Sequence, residues 1–147
     1  TVALEHFTAI MASAFLSNPQ ELEKMDPRLA KLWAWHAIEE AEHKAVAFDL
    51  YKATVDDEML RLRTMLKVTW FFILLNSVRT YKLMREGGQL FNLKAWAKGA
   101  NVLWGRPGIF RKILPQYLDF FRRDFHPWQH NNMADLEVMK ARYLKEF

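Results

Sequence analysis

The amino-acid sequence predicts one all-α domain, a helical bundle, over residues 1–147. Glycine and proline number only five each, and the residues that favour strands are sparse beside leucine, alanine and charged residues. Ionisable side chains in the first half of the chain recur at helical intervals. Because 51% of the residues are hydrophobic, the chain has enough apolar surface to bury a core.

The first predicted helix runs from about Val2 to Leu16 and ends near Pro19, which disfavours helical backbone in the residue before it. Apart from Glu5 and His6, this helix is apolar on nearly all sides, which is typical of a helix surrounded by other helices. A buried carboxylate is costly unless it is paired or bound to a metal; the alternative is that Glu5 or His6 faces water from the helix end. The segment reads as mid-helix from its start, so we expect it to be the C-terminal part of a longer protein.

A long second helix is predicted from Pro27 to about Thr54, because Asp26 can cap it and proline suits the first helical position. No residue inside it is a strong helix breaker. Its apolar residues available for packing are Leu29, Leu32, Trp33, Ala37, Val46, Ala47 and Leu50.

The third helix is predicted from Glu58 to about Glu86, with Asp56 or Asp57 as its cap and glycines after its end. Its most apolar run, Val68 to Leu75, is far shorter than the roughly 20 residues that span a bilayer. We therefore expect no transmembrane segment and interpret the helix as buried; a membrane-facing role is the alternative. The predicted core residues of this helix are Met59, Leu62, Met65, Leu66, Trp70, Phe72 and Ile73.

The last third of the chain is predicted to hold three further helices. The first spans about Leu93 to Leu103, the second is aromatic-rich and has a kink or restart at Pro115, and the third runs from about Met133 to Phe147. A turn that includes Pro107 separates the first two. Before the third lie His126, Pro127, Trp128 and His130, for which packing of Trp128 is favoured over metal binding because Pro127 indicates a turn.

Charge and cysteine content limit the function classes. The net charge is +4 and the pI is about 9.4, but basic residues occur in several segments, so we expect no nucleic-acid binding and at most a mild preference for anions or anionic lipid. The chain has no cysteine, which excludes disulfides and thiolate metal sites. Any metal must therefore bind His, Asp or Glu, and a cytoplasmic location is favoured.

One face of the second helix gathers metal-binding side chains. His36, Glu40 and His43 lie at positions i, i+4 and i+7, so at about 100° per residue they share one face. Two-metal sites in helical bundles take a Glu from each of two helices and a Glu-x-x-His from each of two others. Glu40 and His43 fit that pattern, and Glu5 would supply the solitary carboxylate. The predicted metal ligands are Glu5, His36, Glu40 and His43.

Glu39 lies about 100° from Glu40 on the helix and is predicted to be a free carboxylate. It would act as a catalytic base, or as an alternate ligand if the helix were rotated slightly. A competing interpretation makes Glu39, Glu42 and Lys44 a water-facing stripe, with the histidines satisfied in the core.

These motifs carry a resemblance to a known family. The segments Ala3–Ala9 and Trp35–Lys44, with Phe125–Trp128 downstream, resemble the bacterial family named predicted metal-dependent hydrolases. The resemblance implies a ferritin-like bundle with an upstream helix pair that holds another carboxylate and another Glu-x-x-His. The run from His36 to His43 is also similar to the di-iron arylamine N-oxygenases.

The four predicted ligands are about half of what two metals need. Either an upstream half or a second copy in a homodimer would complete the site. The cofactor is expected to be a divalent metal, with iron favoured and zinc or manganese as alternatives. The resemblance implies a metal-dependent hydrolase with a small-molecule substrate that the sequence does not identify. The alternatives are a di-iron oxygenase or oxidase, which the aromatic content favours, and a non-catalytic helical binding module.

Overall fold

The computed structural model describes residues 1–17, 22–106 and 108–144, and the regular elements in these ranges are all helical. A short 3₁₀ turn at Pro127–Gln129 precedes the last helix. The predicted all-α class is confirmed. Two predicted helix ends and one predicted turn depend on residues outside the described ranges, namely Pro19, Phe147 and Pro107. The α-helices in chain order are α1 (Val2–Leu16), α2 (Pro27–His43), α3 (Val46–Thr54), α4 (Glu58–Glu86), α5 (Leu93–Trp104), α6 (Ile109–Asp119) and α7 (Met133–Tyr143).

The predicted capping residues begin two of these helices. The Asp26 carboxylate accepts the Arg28 N–H at 2.9 Å at the start of α2. The Asp57 carboxylate accepts the Leu60 N–H at 2.9 Å at the start of α4, and Gly87 follows the last residue of that helix. These bonds satisfy N–H groups that have no partner within the helix, and the predicted starts of α2 and α4 are confirmed.

The prediction of one continuous helix from Pro27 to Thr54 is wrong. The chain turns at Lys44 and Ala45, which separates α2 from α3. No local helix breaker causes this turn. Instead, the Lys44 side chain is buried and donates hydrogen bonds to the His130 carbonyl and to Oδ1 of Asn132, far away in the sequence. These tertiary bonds outweigh the local preference for helix.

Two buried clusters hold the helices together. Small side chains on α2 allow a close approach of α1 and α7, whereas aromatic side chains join α1, α3, α4 and the segment after α6. The first cluster contains Ala12, Leu16, Leu22, Ala30, Ala34, Ala37, Ile38, Ala41, Leu136 and Met139. The second contains Ala3, Phe7, Phe48, Met65, Phe120 and Phe125.

Much of α4 is not buried, contrary to the prediction. Met65 is fully buried, but Trp70 is 68% exposed and the side chains of Met59, Leu66 and Ile73 are also exposed. The same holds for five apolar residues of the second predicted helix, Leu29, Leu32, Trp33, Val46 and Leu50. A sequence pattern shows which side of a helix is apolar but not what covers that side. None of the described helices is long and apolar enough to cross a membrane.

Candidate functional site

The predicted ligands of α2 form two pairs near its C-terminal end. Nε2 of His36 lies 3.7 Å from Oε1 of Glu40, and Nε2 of His43 lies 3.8 Å from Oε2 of Glu39. Each pair joins residues four apart, about one helical turn, so the two pairs run along neighbouring lines of the helix surface. His43 therefore contacts Glu39, the predicted free carboxylate, while Glu40 contacts His36.

Both pairs lie on the outer side of α2. The side chains of His36 and His43 are 49% and 67% exposed, whereas Ala37 and Ala41 on the inner side are buried. The competing interpretation, in which the histidines are satisfied in the core and Lys44 faces water, is wrong because Lys44 is the buried residue. The imidazole nitrogens are thus accessible to an ion or to another protein segment.

Glu5 lies on α1, which packs along α2. Its side chain is half-buried, and within the described ranges its carboxylate has neither a hydrogen bond nor an ion pair. A partly desolvated carboxylate gains free energy from a nearby cation. Glu5 therefore has the burial and the free oxygens that a metal ligand needs, although the structure does not join it to the two pairs of α2.

The donor set can be compared with the requirements of a metal. Imidazole and carboxylate ligands suit zinc, iron and manganese. Two ligand atoms that are each about 2.1 Å from a tetrahedral ion lie about 3.4 Å apart, close to the 3.7 Å and 3.8 Å measured in the pairs. In the part of the chain that the structure describes, no three His, Asp or Glu side chains form a ligand group. The His36–Glu40 pair therefore fits as two ligands of an ion that needs further ligands.

Behind the end of α2 lies a buried polar cluster centred on Lys44. Only 5% of Lys44 is exposed, and its ammonium group lies 2.8 Å from Oδ1 of Asn132 and 4.7 Å from the ring centre of Trp128. Burial lowers the pKa of Lys44 because an ammonium ion loses hydration in the interior. The bonds to neutral oxygens and the aromatic ring partly offset that loss.

Two histidines complete this cluster. His6 is 5% exposed, and its Nε2 lies 3.0 Å from the Gln116 carbonyl, so Nε2–H donates. Burial lowers the pKa of His6 to about 4, which keeps the ring neutral at pH 7. Nε2 of His130 lies 3.1 Å from Oδ2 of Asp119; burial lowers the pKa of His130 while Asp119 opposes the shift. The expectation that His6 could face water is wrong.

A cavity of about 20 Å³ lies between Lys44, His6 and His130. A buried water needs roughly this volume and two to four polar partners. The cluster is therefore suited to hold one water, and it is too small for an organic substrate. In the sequence, His6 stands out as a polar side chain in an apolar helix and His130 as part of a second candidate cluster. Asp119 and Gln116 carry no such signal, because tertiary packing brings them to these histidines.

His126 and His130 do not meet at one site. Nε2 of His126 lies 2.9 Å from Oδ1 of Asp49 on α3, and Nδ1 accepts the Trp128 N–H at 3.2 Å. With Nδ1 accepting, Nε2 carries the proton and donates to Asp49. His130 instead contacts Asp119. The segment around Pro127 thus connects the helices through separate His–Asp contacts.

Comparison with known proteins identifies a family for this chain. The model of a family described as predicted metal-dependent hydrolase matches residues 1–131, a range that includes α1, both His–Glu pairs and the buried cluster except Asn132. No curated protein and no solved structure matches the chain. Because the match covers most of the sequence, the chain belongs to the family of predicted metal-dependent hydrolases.

Proposed function

We propose that the chain carries half of the metal centre of a hydrolase, with Glu5, His36, Glu40 and His43 as ligands. The observation that carries the proposal is the contact of His36 with Glu40 at 3.7 Å on the open side of α2, in a member of a family whose description names a metal. Iron, zinc and manganese all suit these donors.

A divalent ion in such a site lowers the pKa of a bound water to about 7 and polarises the substrate. The chain itself would supply a base and the orientation of the ligands. In the described conformation the Glu39 carboxylate contacts His43. Rotation of the His43 side chain onto a metal would free Glu39, which is 44% exposed, to accept a proton from water. We therefore propose Glu39 as the catalytic base.

We favour hydrolysis over oxygen chemistry because the family to which the chain belongs is described as a hydrolase. A di-iron oxygenase or oxidase needs a closed, apolar pocket around its metals. It remains the second candidate because segments beyond those described could close the site, and iron loading distinguishes the two functions.

We further propose that the complete protein forms a ferritin-like bundle in which other ligands face α2. These ligands come from outside residues 1–147 or from a second copy of the chain. The exposed Leu32, Trp33 and Trp35 side chains on α2 support this proposal, because an additional helix layer over the His–Glu pairs would also bury this apolar surface.

The experiment combines metal analysis with hydrolysis. Purified protein is loaded separately with zinc, manganese and, without oxygen, ferrous iron, and its metal content is measured. Hydrolysis of p-nitrophenyl esters and phosphates is followed for the wild type and for Glu39→Gln. We expect Glu39→Gln to keep the metal and to lose about 100-fold in kcat, as befits loss of a general base.

Glu42→Gln is the matched control, because Glu42 lies on the same helix but contacts Lys140. It should retain both metal and activity. Equal activity of Glu39→Gln and wild type would contradict the role of Glu39. An oxo-bridged di-ferric absorption band after exposure of the iron protein to air, without hydrolysis by any metal form, would favour the oxygenase.

A further inference from the structure

Positive charge is concentrated in one part of the chain. Residues 59–118 hold eleven Lys and Arg residues and one acidic residue, Glu86, whereas the remainder holds ten basic and sixteen acidic residues. The basic residues of this segment are Arg61, Arg63, Lys67, Arg79, Lys82, Arg85, Lys94, Lys98, Arg106, Arg111 and Lys112.

Part of this segment stands clear of the protein body. All residues from 76 to 83 on α4 are exposed, so none of them is buried against a neighbouring helix. The chain then turns at Gly87 and Gly88 and continues into α5, which has no buried residue. We refer to residues 76–104, the outer half of α4 with α5, as the basic arm.

The basic arm presents apolar and cationic side chains together. On α5, Leu93 and Trp96 lie on one face at a spacing of three residues, and Lys94 and Lys98 lie on the other face. Phe91, in the turn before α5, is 92% exposed. The apolar side chains at and just before the start of α5 are exposed, and such a face is available for a partner.

The cations of the basic arm are free. Within the described ranges, no carboxylate forms an ion pair with Arg79, Lys82, Arg85, Lys94 or Lys98. Elsewhere in the chain, by contrast, Lys52, Arg122, Lys140 and Arg142 each contact a carboxylate. The arm thus combines unpaired positive charge with exposed aromatic and aliphatic side chains.

We propose that the basic arm docks the protein on the surface of an anionic lipid bilayer. Interfacial helices of this type place Trp, Phe and Leu among the acyl chains and keep Lys and Arg at the lipid phosphates. The proposed contact is peripheral, because the helix lies along the bilayer surface. The site is independent of the proposed metal centre, since the arm contains none of its ligands.

Two other occupants fit the arm less well. In a symmetric contact, a second copy of the chain would bring two basic arms together, and like charges across an interface repel each other. A nucleic acid would attract the lysines, but it would give no apolar environment to exposed side chains such as Leu83 and Leu93. A lipid bilayer satisfies both the charged and the apolar side chains.

The experiment is vesicle co-sedimentation of the metal-free chain. Vesicles contain phosphatidylcholine alone or with phosphatidylglycerol, and binding is measured against lipid concentration at low and high salt. We expect binding to the anionic vesicles that weakens with salt. Lys94→Gln with Lys98→Gln removes two charges near the surface and should weaken partitioning roughly 30-fold.

A second variant, Phe91→Ser with Leu93→Ser, tests the apolar contribution. Both side chains are largely exposed, so the fold should survive and anionic binding should still fall. The control is Arg28→Gln with Arg123→Gln, which removes two charges at exposed positions outside the arm and should leave partitioning near the wild-type value.

Equal binding to both kinds of vesicle, or equal binding of arm and control variants, would overturn the proposal. Binding to a nucleic-acid duplex without binding to vesicles would overturn it as well. If vesicles fail to bind and the arm variants change the oligomeric state on size-exclusion chromatography with light scattering, the arm is a protein interface instead. Metal content plays no part in this assay, so its outcome is separate from that of the proposed hydrolase.

Discussion

The ammonium group of Lys44 lies 2.8 Å from Oδ1 of Asn132, and this contact joins the end of the proposed ligand helix to the segment before α7. Lys44 immediately follows His43, the last residue of α2. The contact therefore fixes where the helix ends and how His43 is presented. A buried ammonium is stable there only while its oxygen partners are present.

Asn132→Leu should destabilise the fold. It removes the side-chain acceptor of a buried cation, and the expected loss in the free energy of unfolding is about 1–3 kcal/mol, measured by urea denaturation. Asn132→Asp is the matched variant, because it keeps an oxygen opposite Lys44 and adds a negative charge. The Asp variant should be at least as stable as wild type near pH 7; equal stability of the Leu variant and wild type would contradict the role assigned to this contact.

Arg61 makes a second tertiary link that we expect to be sensitive to substitution. Its side chain is almost fully buried, its guanidinium donates to the carbonyls of Phe120 and Arg122, and its Nη2 lies 2.7 Å from Oε2 of Glu58. These bonds hold the segment after α6 against α4. A single guanidinium supplies the donors for all three oxygens.

Arg61→Lys should therefore lower the free energy of unfolding by about 2 kcal/mol, since an ammonium group cannot reproduce the planar arrangement of donors. The control is Arg63→Lys on the same helix, where the side chain is exposed and the expected change is within about 0.5 kcal/mol. Both are measured by urea denaturation. If both variants lowered the free energy of unfolding equally, the three bonds of Arg61 would not be what holds the segment after α6 against α4.

The lowered pKa of His6 predicts a pH dependence of stability. Burial holds the pKa near 4 in the folded chain against 6.5 in the unfolded chain. As pH falls from 6.5 to 4, the unfolded chain binds a proton that the folded chain does not, so stability decreases in that range. The full loss at pH 4 is about 3 kcal/mol.

His6→Gln tests this dependence. Glutamine can still donate to the Gln116 carbonyl but does not titrate. Between pH 7 and pH 4, metal-free wild type should lose about 3 kcal/mol more than this variant in urea denaturation. Carboxylates titrate in both proteins, so the difference isolates His6. Parallel pH profiles for the two proteins would contradict the lowered pKa of His6 in the folded state.

Several features of the fold could be predicted because they depend on neighbouring residues. Asp26 with Pro27, and Asp57, are local signals for helix starts, and the structure places α2 and α4 there. The turn at Lys44 could not be predicted in this way. Its cause is hydrogen bonding to His130 and Asn132, and a single sequence does not show which distant residues will meet.

In the proposed site, too, features set by neighbouring residues could be predicted and features set by tertiary packing could not. The spacing of His36 and Glu40 predicted that they would share a helix face, and they lie in contact. The contact of His43 with Glu39 was not foreseen, because both His43–Glu40 and His43–Glu39 are compatible with helical spacing and side-chain rotation decides between them. The position of Glu5 relative to these residues depends on the packing of α1, which periodicity does not reveal.

The proposed role of α2 is tested most directly by zinc titration of the metal-free complete protein, followed through the histidine ring signals in NMR spectra. The rings of His36 and His43 should shift on binding, while that of His126, which contacts Asp49, should not. His36→Ala with His43→Ala should weaken zinc binding at least about 100-fold, more than typical losses from supporting residues. Unchanged His36 and His43 signals, or equal zinc affinity in the double variant and wild type, would contradict a metal centre on α2.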